Sequence, residues 1–257
     1  MSGQKIKQEV KQYLRELRLS TVRESYKDIA ESAEKEESGY VEYLLELLKK
    51  ECEVRGQKRI ERRVRESRLP LEKNLESFDL KRFPKKLLRQ VKVLRQVKVL
   101  QDGSFLDRKE NILAFGNPGS GKTHLLCALG QELIQQDHRV YFSRCSFLVE
   151  ELLCDKRELK LDRKLKKLAK YDALILDDIG YVKQDREEME VLFTLLAQRY
   201  ERGSVMITSN LPFSKWESIF KDPMTTAAAI DRLVHHSVIL ELNVPSYRME
   251  QARQRKQ

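Results

Sequence analysis

The sequence predicts an α/β fold: a three-layer arrangement with a parallel five-stranded sheet, preceded by a small all-helical N-terminal domain. Three observations predict it. From residue 111 onward, short apolar runs alternate with helical stretches. A glycine-rich loop, G-N-P-G-S-G-K-T at 116–123, joins the first such run to the first such helix. Before residue 70 no strand-like run occurs, proline is absent, and glycine is confined to Gly3, Gly39 and Gly56.

The elements follow in order. Leu14, Leu17, Val22 and Ile29 form a helical stripe, broken near Ser20-Thr21, which reads as an N-cap pair. Ser38-Gly39 punctuates. A long helix is then expected, with Val41, Leu44, Leu45, Leu48 and Cys52 on one face. Its continuation, 53–68, is strongly basic and keeps apolar spacing through Ile60 and Val64. Two prolines mark 69–85 as a linker, and 88–99 contains LRQVKV twice, a repeat too short for a solenoid. The strands expected beyond are 111–116, 139–143, 173–177, 204–209 and 237–242, separated by helices at 121–136, 146–169, 186–202 and 214–233. This gives three segments: 1–68 helical, 69–110 linker and basic lead-in helix, and 111–257 the α/β domain.

Composition narrows the classes. The 257 residues suffice for one full domain and a small accessory one. Lys+Arg is 50 against 40 Asp+Glu, a net charge of +10. Residues 1–100 hold 26 Lys/Arg and 17 Asp/Glu, so most of the excess is N-terminal. Such a balance favours a polyanionic partner, nucleic acid above all. No apolar run reaches the ~18 residues of a membrane span. The charged N-terminus lacks the apolar core of a signal peptide, so a cytoplasmic location is expected. Of the cysteines, Cys52, Cys127, Cys145 and Cys154, none forms a C-x-x-C pair, and three sit in stretches that read as core.

The chemistry concentrates at the ends of the strands. Gly116, Gly119 and Gly121 allow successive N–H groups to converge, and a helix N-terminus follows; both bind phosphate oxygens. Asn117, Pro118, Ser120 and His124 complete the candidate phosphate-binding run. Lys122 would reach the β- and γ-phosphates, and Thr123 would place its hydroxyl on Mg²⁺. Ala173-Leu174-Ile175-Leu176-Asp177-Asp178 puts two acids where a buried strand leaves the sheet, the edge at which α/β proteins bind ligands. Asp177 is the expected Mg²⁺ partner and Asp178 the candidate for polarising an attacking water. Asn210 ends the fourth strand and could orient that water. Arg232 and Arg248 flank the last strand and could stabilise transferring charge.

GNPGSGKT, LILDD, ITSNLPFSKW, AIDRLVHH and SYR, in this order, resemble an AAA+ ATPase of the initiator/loader branch. The N-terminal patterns LRELRLSTVRESYKDIAE, YVEYLLELLKKE and RRVRESRLPLEKNLESFDL extend the resemblance to the IstB-type transposition helpers of insertion sequences, relatives of the helicase loader DnaC. The resemblance implies that 116–123 is the Walker A loop, Asp177 and Asp178 the Walker B acids, Asn210 sensor 1, Arg232 an arginine finger and Arg248 sensor 2. It implies ATP and Mg²⁺ as cofactors. It further implies head-to-tail self-assembly on duplex DNA, bending of that DNA, and recruitment of a partner transposase, in the bacterial nucleoid. The N-terminal helices are then the expected dock for that partner. With only nine residues after Arg248, no separate lid domain is expected. Many AAA+ proteins carry Glu where this chain has Asp178, so slow or assembly-dependent hydrolysis is implied. Phosphate contacts to DNA are expected from Arg144 and from Lys160, Arg163, Lys164, Lys166, Lys167 and Lys170. A DnaC-like helicase loader is the nearest alternative, sharing the same ATP site. A small-molecule P-loop kinase fits Asn210, Arg248 and the basic N-terminal module poorly.

Overall fold

Strands apolar on both faces are stable only in a sheet that is covered twice, and the five apolar runs form such a sheet. The computed structural model describes residues 3–78, 104–181, 186–212, 215–216, 223–247 and 249. The duplicated LRQVKV and Arg248 lie outside the described residues. The chain divides into two compact units, Met1–Arg62 and Arg63–Gln257.

In the second unit, β1 (Asn111–Phe115), β2 (Val140–Arg144), β3 (Ala173–Asp177), β4 (Ser204–Ser209) and β5 (Ser237–Glu241) are all parallel, in the order β2-β3-β4-β1-β5. Helix α4 (Ser104–Asp107) leads into β1, and α5 (Lys122–Gln135) follows it. Ile175 faces α5, where Gly130 leaves room for its Cδ1, and its register neighbour Met206 shares that face. Leu113, Leu174, Leu176, Val205 and Ile207 point the other way. They form one core with α6 (Cys145–Arg157), α7 (Leu161–Leu168), α8 (Arg186–Arg199) and α9 (Pro223–Val234).

The single helix expected over 146–169 is two. Leu159 stands at φ 59°, and the N–H of Lys160 returns to the Asp155 carbonyl at 2.7 Å, closing the end of α6. No glycine or proline announces this break. Below the sheet, Arg199 of α8 is buried and donates to the carbonyls of Tyr171, Asp172 and Ser204 at 2.7–3.0 Å. It joins the approaches to β3 and β4. Of the cysteines, Cys127 and Cys145 are buried; Cys52 and Cys154 are exposed, so two rather than three belong to the core.

The first unit consists of α1 (Gly3–Glu16), α2 (Ser20–Lys35) and most of α3 (Tyr40–Ser67). Val22, Ile29 and Leu47 form its small core, with Leu14, Tyr26 and Tyr43 packed around them. Ser20-Thr21 does not act as an N-cap pair: α2 starts at Ser20 itself, and Leu19 at the cap makes no side-chain hydrogen bond. The cap comes from another helix. Glu51 of α3 accepts the Val22 N–H at 2.9 Å and is itself gripped by Arg55 at 2.7 Å. Burial alone would raise the Glu51 carboxyl, but the N–H groups of Val22 and Thr21 and the Arg55 guanidinium hold it below its usual range. A group with a depressed folded pKa contributes stability above its unfolded value, and that contribution fades as the solution is acidified through the carboxylate range. Glu51→Ala is expected to destabilise this unit by about 2 kcal/mol at neutral pH, and by less in acid, measured by helical circular dichroism during thermal melts.

The face of α3 bearing Val41, Leu44, Leu45 and Leu48 is exposed, Val41 by 79%. Its Leu47 and Tyr43 are the residues turned to α2. Among the described residues, no helix is long and apolar enough to cross a membrane.

Candidate nucleotide site

The loop after β1 takes its shape from its three glycines, all at positive φ. Gly116 (φ 151°) has no room for a side chain, because a Cβ would collide with the carbonyl of Leu242 in the segment after β5. Gly119 (φ 78°) is packed likewise against the Ser246 hydroxyl. The same segment buttresses the loop: the Leu242 N–H donates to the Phe115 carbonyl (2.7 Å) and the Tyr247 N–H to that of Gly119 (3.0 Å). Asn117 and Pro118 are exposed at the crest, and Gly121 launches α5. Ser120 is buried, and among the described residues its hydroxyl has no partner. Lys122 is buried too; its Nζ donates to the carbonyls of Gly116 (2.8 Å) and Asn117 (2.9 Å).

Behind the loop the two acids meet the sheet. Thr123 Oγ1 donates to Asp177 Oδ1 at 2.7 Å. Thr208 Oγ1, from β4, donates to the same oxygen at 2.7 Å and accepts the Asp178 N–H at 2.8 Å. Asp178 stands at φ 65°, a left-handed conformation rare outside glycine. Asn210 follows β4, and its Oδ1 lies against Gly180, where any Cβ would clash; that oxygen is buried and has no partner among the described residues. The structure thus brings Gly116–Thr123, Asp177, Asp178 and Asn210 to one edge of the sheet. Cys145, wholly buried nearby, has its thiol pushed up to about 12 by burial and then by the charges of Asp178 and Asp177, so it stays neutral there.

His124 is placed differently from its neighbours. Its Nε2 meets the carbonyl of Asn74 at 2.8 Å and the Ser77 hydroxyl at 3.2 Å, and its ring packs edge-on to Phe78 at 5.2 Å. Gln131, further along α5, donates to the carbonyls of Pro70 and Lys73 at 3.1 and 3.0 Å. Residues 70–78, expected only as linker, are therefore strapped along α5, and Phe78 reaches Gly121.

Arg232 and Arg144 are the next candidates. The carbonyl of Leu233 accepts from the Asn111 side chain at the opening residue of β1, so the adjoining Arg232 has its backbone at the sheet edge opposite the loop. The Arg232 guanidinium lies over Phe193 at 4.9 Å, with Nη1 buried and unpartnered among the described residues. Arg144 ends β2 in register with Asp177, exposed, over the Phe147 ring. The basic residues of α7 and its flanking Lys160 and Lys170 line a groove of about 770 Å³ together with Asp155 and Asp162. Three are paired: Lys160 with Glu158 (2.6 Å), Lys164 with Glu151 (2.5 Å) and Lys166 with Asp162 (2.7 Å). Arg163, Lys167 and Lys170 are exposed and without a carboxylate partner among the described residues.

The family model described as IstB-like ATP binding protein matches residues 12–255. This chain belongs to that family. It is 43% identical over 243 residues to an insertion sequence ATP-binding protein of Sinorhizobium fredii, covering 95% of this chain and 80% of the relative. It is 38% identical over 248 residues to the insertion sequence IS21 ATP-binding protein of Pseudomonas aeruginosa, covering 95% and 90%. Among solved structures, the DnaC helicase loader superposes with a TM-score of 0.51 at 22% identity, over 59% of this chain and 89% of that one. That likeness shows an AAA+ fold for this IstB-like chain. Thr208, Ser246 and the strap of Asn74, Ser77 and Phe78 lie within the quoted sequence patterns, which gave them no individual role at the site.

Proposed function

We propose that this IstB-like protein is an ATP-hydrolysing transposition helper. It assembles head to tail on duplex DNA, bends it, and recruits and activates a partner transposase. The observation that carries the ATP reading is the Thr123–Asp177 hydrogen bond behind the glycine loop. An ionised carboxylate only accepts, so Thr123 spends its proton on Asp177 and keeps its lone pairs for a hard cation. Asp177 Oδ1 takes both hydroxyls, which leaves Oδ2 for a cation-bound water. Oxygen donors of this kind suit Mg²⁺. Thr123 and Asp177 would hold Mg²⁺, which would supply positive charge to the phosphates of a bound nucleotide. The unpartnered Ser120 hydroxyl and the loop N–H groups fit a polyphosphate. Lys122 exchanges its two carbonyl acceptors for phosphate oxygens. Asp178 and Asn210 hold the attacking water, and Arg248 takes the sensor-2 role that the family resemblance implies.

Arg232 serves a neighbouring copy, since its own loop lies at the other edge of the sheet. Contacts of that kind are heterologous and build rings or filaments. DNA phosphates are met by α7 and Arg144, giving affinity without sequence reading. The transposase docks on the N-terminal unit, where α3 offers its exposed apolar face.

The reading is tested by fluorescence anisotropy on duplex and single-stranded DNA of equal length, with and without a non-hydrolysable ATP analogue. Nucleotide-dependent duplex binding is expected. Preference for single strands would favour a helicase loader instead. In the same assay, reversing charge at Arg163, Lys167 and Lys170 is expected to weaken duplex binding and to flatten the salt dependence by about 0.9 for each phosphate no longer neutralised. Unchanged affinity would remove α7 from the interface.

A further inference from the structure

We propose that Thr208 is a positioning residue for both acids, setting the Asp177 carboxylate and the Asp178 backbone through one buried hydroxyl. The inference rests on the ATPase reading and deepens it. Ile175 of β3 lies opposite Met206 of β4, so two residues on, Asp177 and Thr208 share the α5 face of the sheet. The ladder between these strands ends at Leu176 and Ile207. One step beyond it, the Thr208 side chain takes the place of a backbone acceptor for the Asp178 N–H (2.8 Å).

Proton counting fixes the direction of the relay. Thr208 has one hydroxyl proton and is 1% exposed. Asp177, ionised, can only accept, so the proton goes to Oδ1 at 2.7 Å. A lone pair of the Thr208 oxygen then receives the Asp178 N–H. The carboxylate is thereby held from two sides, by Thr123 on the loop helix and Thr208 on the sheet. Asp178 is held where its left-handed backbone (φ 65°) would otherwise relax. Both acids are indexed to β4, the strand that leads into Asn210.

Two substitutions separate the hydroxyl from the methyl. Thr208→Val keeps shape and removes the hydroxyl; Thr208→Ser keeps the hydroxyl and removes the methyl. Steady-state ATP turnover would be measured together with binding of a fluorescent ATP analogue in Mg²⁺ and in EDTA. For the Val protein, kcat is expected to fall about tenfold to a hundredfold with KM for ATP nearly unchanged. Its Mg²⁺-dependent gain in analogue affinity should shrink, while the Ser protein matches wild type in both. A role in packing alone would spare the Mg²⁺ effect and hurt the Ser protein more. A Val protein equal to wild type, or a Ser protein as slow as Val, overturns the proposal. Should the Val protein fail to fold, judged by emission of the buried Trp216, Thr208→Cys replaces it; this weak donor of fitting size is expected to be slow, and wild-type behaviour overturns the proposal. If wild type binds the analogue with a Mg²⁺ effect but hydrolyses nothing, the ATPase reading fails. The binding comparison then decides the role of Thr208 alone.

Discussion

Lys122→Ala is expected to lower ATP turnover by at least about a hundredfold and to abolish nucleotide-dependent DNA binding. Lys122 is the only cation the loop itself supplies, and its stem is buried, so the ammonium is held within reach of whatever occupies the loop. In the structure its Nζ already has two acceptors, the carbonyls of Gly116 and Asn117. Removing it therefore does two things. The phosphates lose a point charge, and two loop carbonyls lose their donor. Separate readouts tell these apart. A thermal melt reports on the loop, and analogue binding reports on the phosphate contact. A variant that melts like wild type but neither binds the analogue nor turns over ATP confirms the assigned role. Retained turnover would place the phosphates elsewhere.

Arg199→Met is the substitution expected to damage the fold most. Burial pulls the Arg199 pKa down to about 10, against the opposing pull of Asp172, so the group is still charged at neutral pH. The cost of burying that charge is offset by hydrogen bonds to the carbonyls of Tyr171, Asp172 and Ser204. Methionine fills the space and removes the desolvation cost, but it strands three carbonyls where β3 and β4 begin. Unmade hydrogen bonds of buried groups outweigh the relief, and a net loss of about 3 kcal/mol is expected. For a unit of this size that lowers Tm by about 6–12 °C. Scanning calorimetry would measure it, and an unchanged Tm would mean that the carbonyls find other donors.

The parts of the molecule that were legible in the sequence are those whose cause is local. The glycine loop is contiguous, and helices separate the five apolar runs, so the five strands and the acids at the end of β3 could be placed from spacing alone. What escaped depends on register or on distant partners. Thr208 acquires its role only when β4 is laid beside β3, 31 residues away. The cap of α2 comes from Glu51, 29 residues on, while the polar pair adjacent in sequence makes no cap. Leu159 takes a left-handed turn that no glycine marks. The strap of 70–78 looked like a spacer because its order comes from His124 and Gln131, 47 or more residues downstream of the groups they bond. His124 itself directly follows the nucleotide motif, and only the fold reveals that its ring is turned to the strap.

The placement of Arg232 at the sheet edge away from its own loop has a consequence for counting. On the reading proposed above, each loop borrows Arg232 from a neighbouring copy, so it is complete only when another copy sits beside it on one particular side. In an open row of copies, every interior loop has such a neighbour, and the loop at one end has none. At the other end an arginine has nothing to serve. Turnover per subunit would therefore climb with the length of the row and level off, with the largest relative gain at the shortest lengths. A closed ring would have no such end. The dependence of specific activity on protein concentration thus carries information about whether the assembly has ends at all.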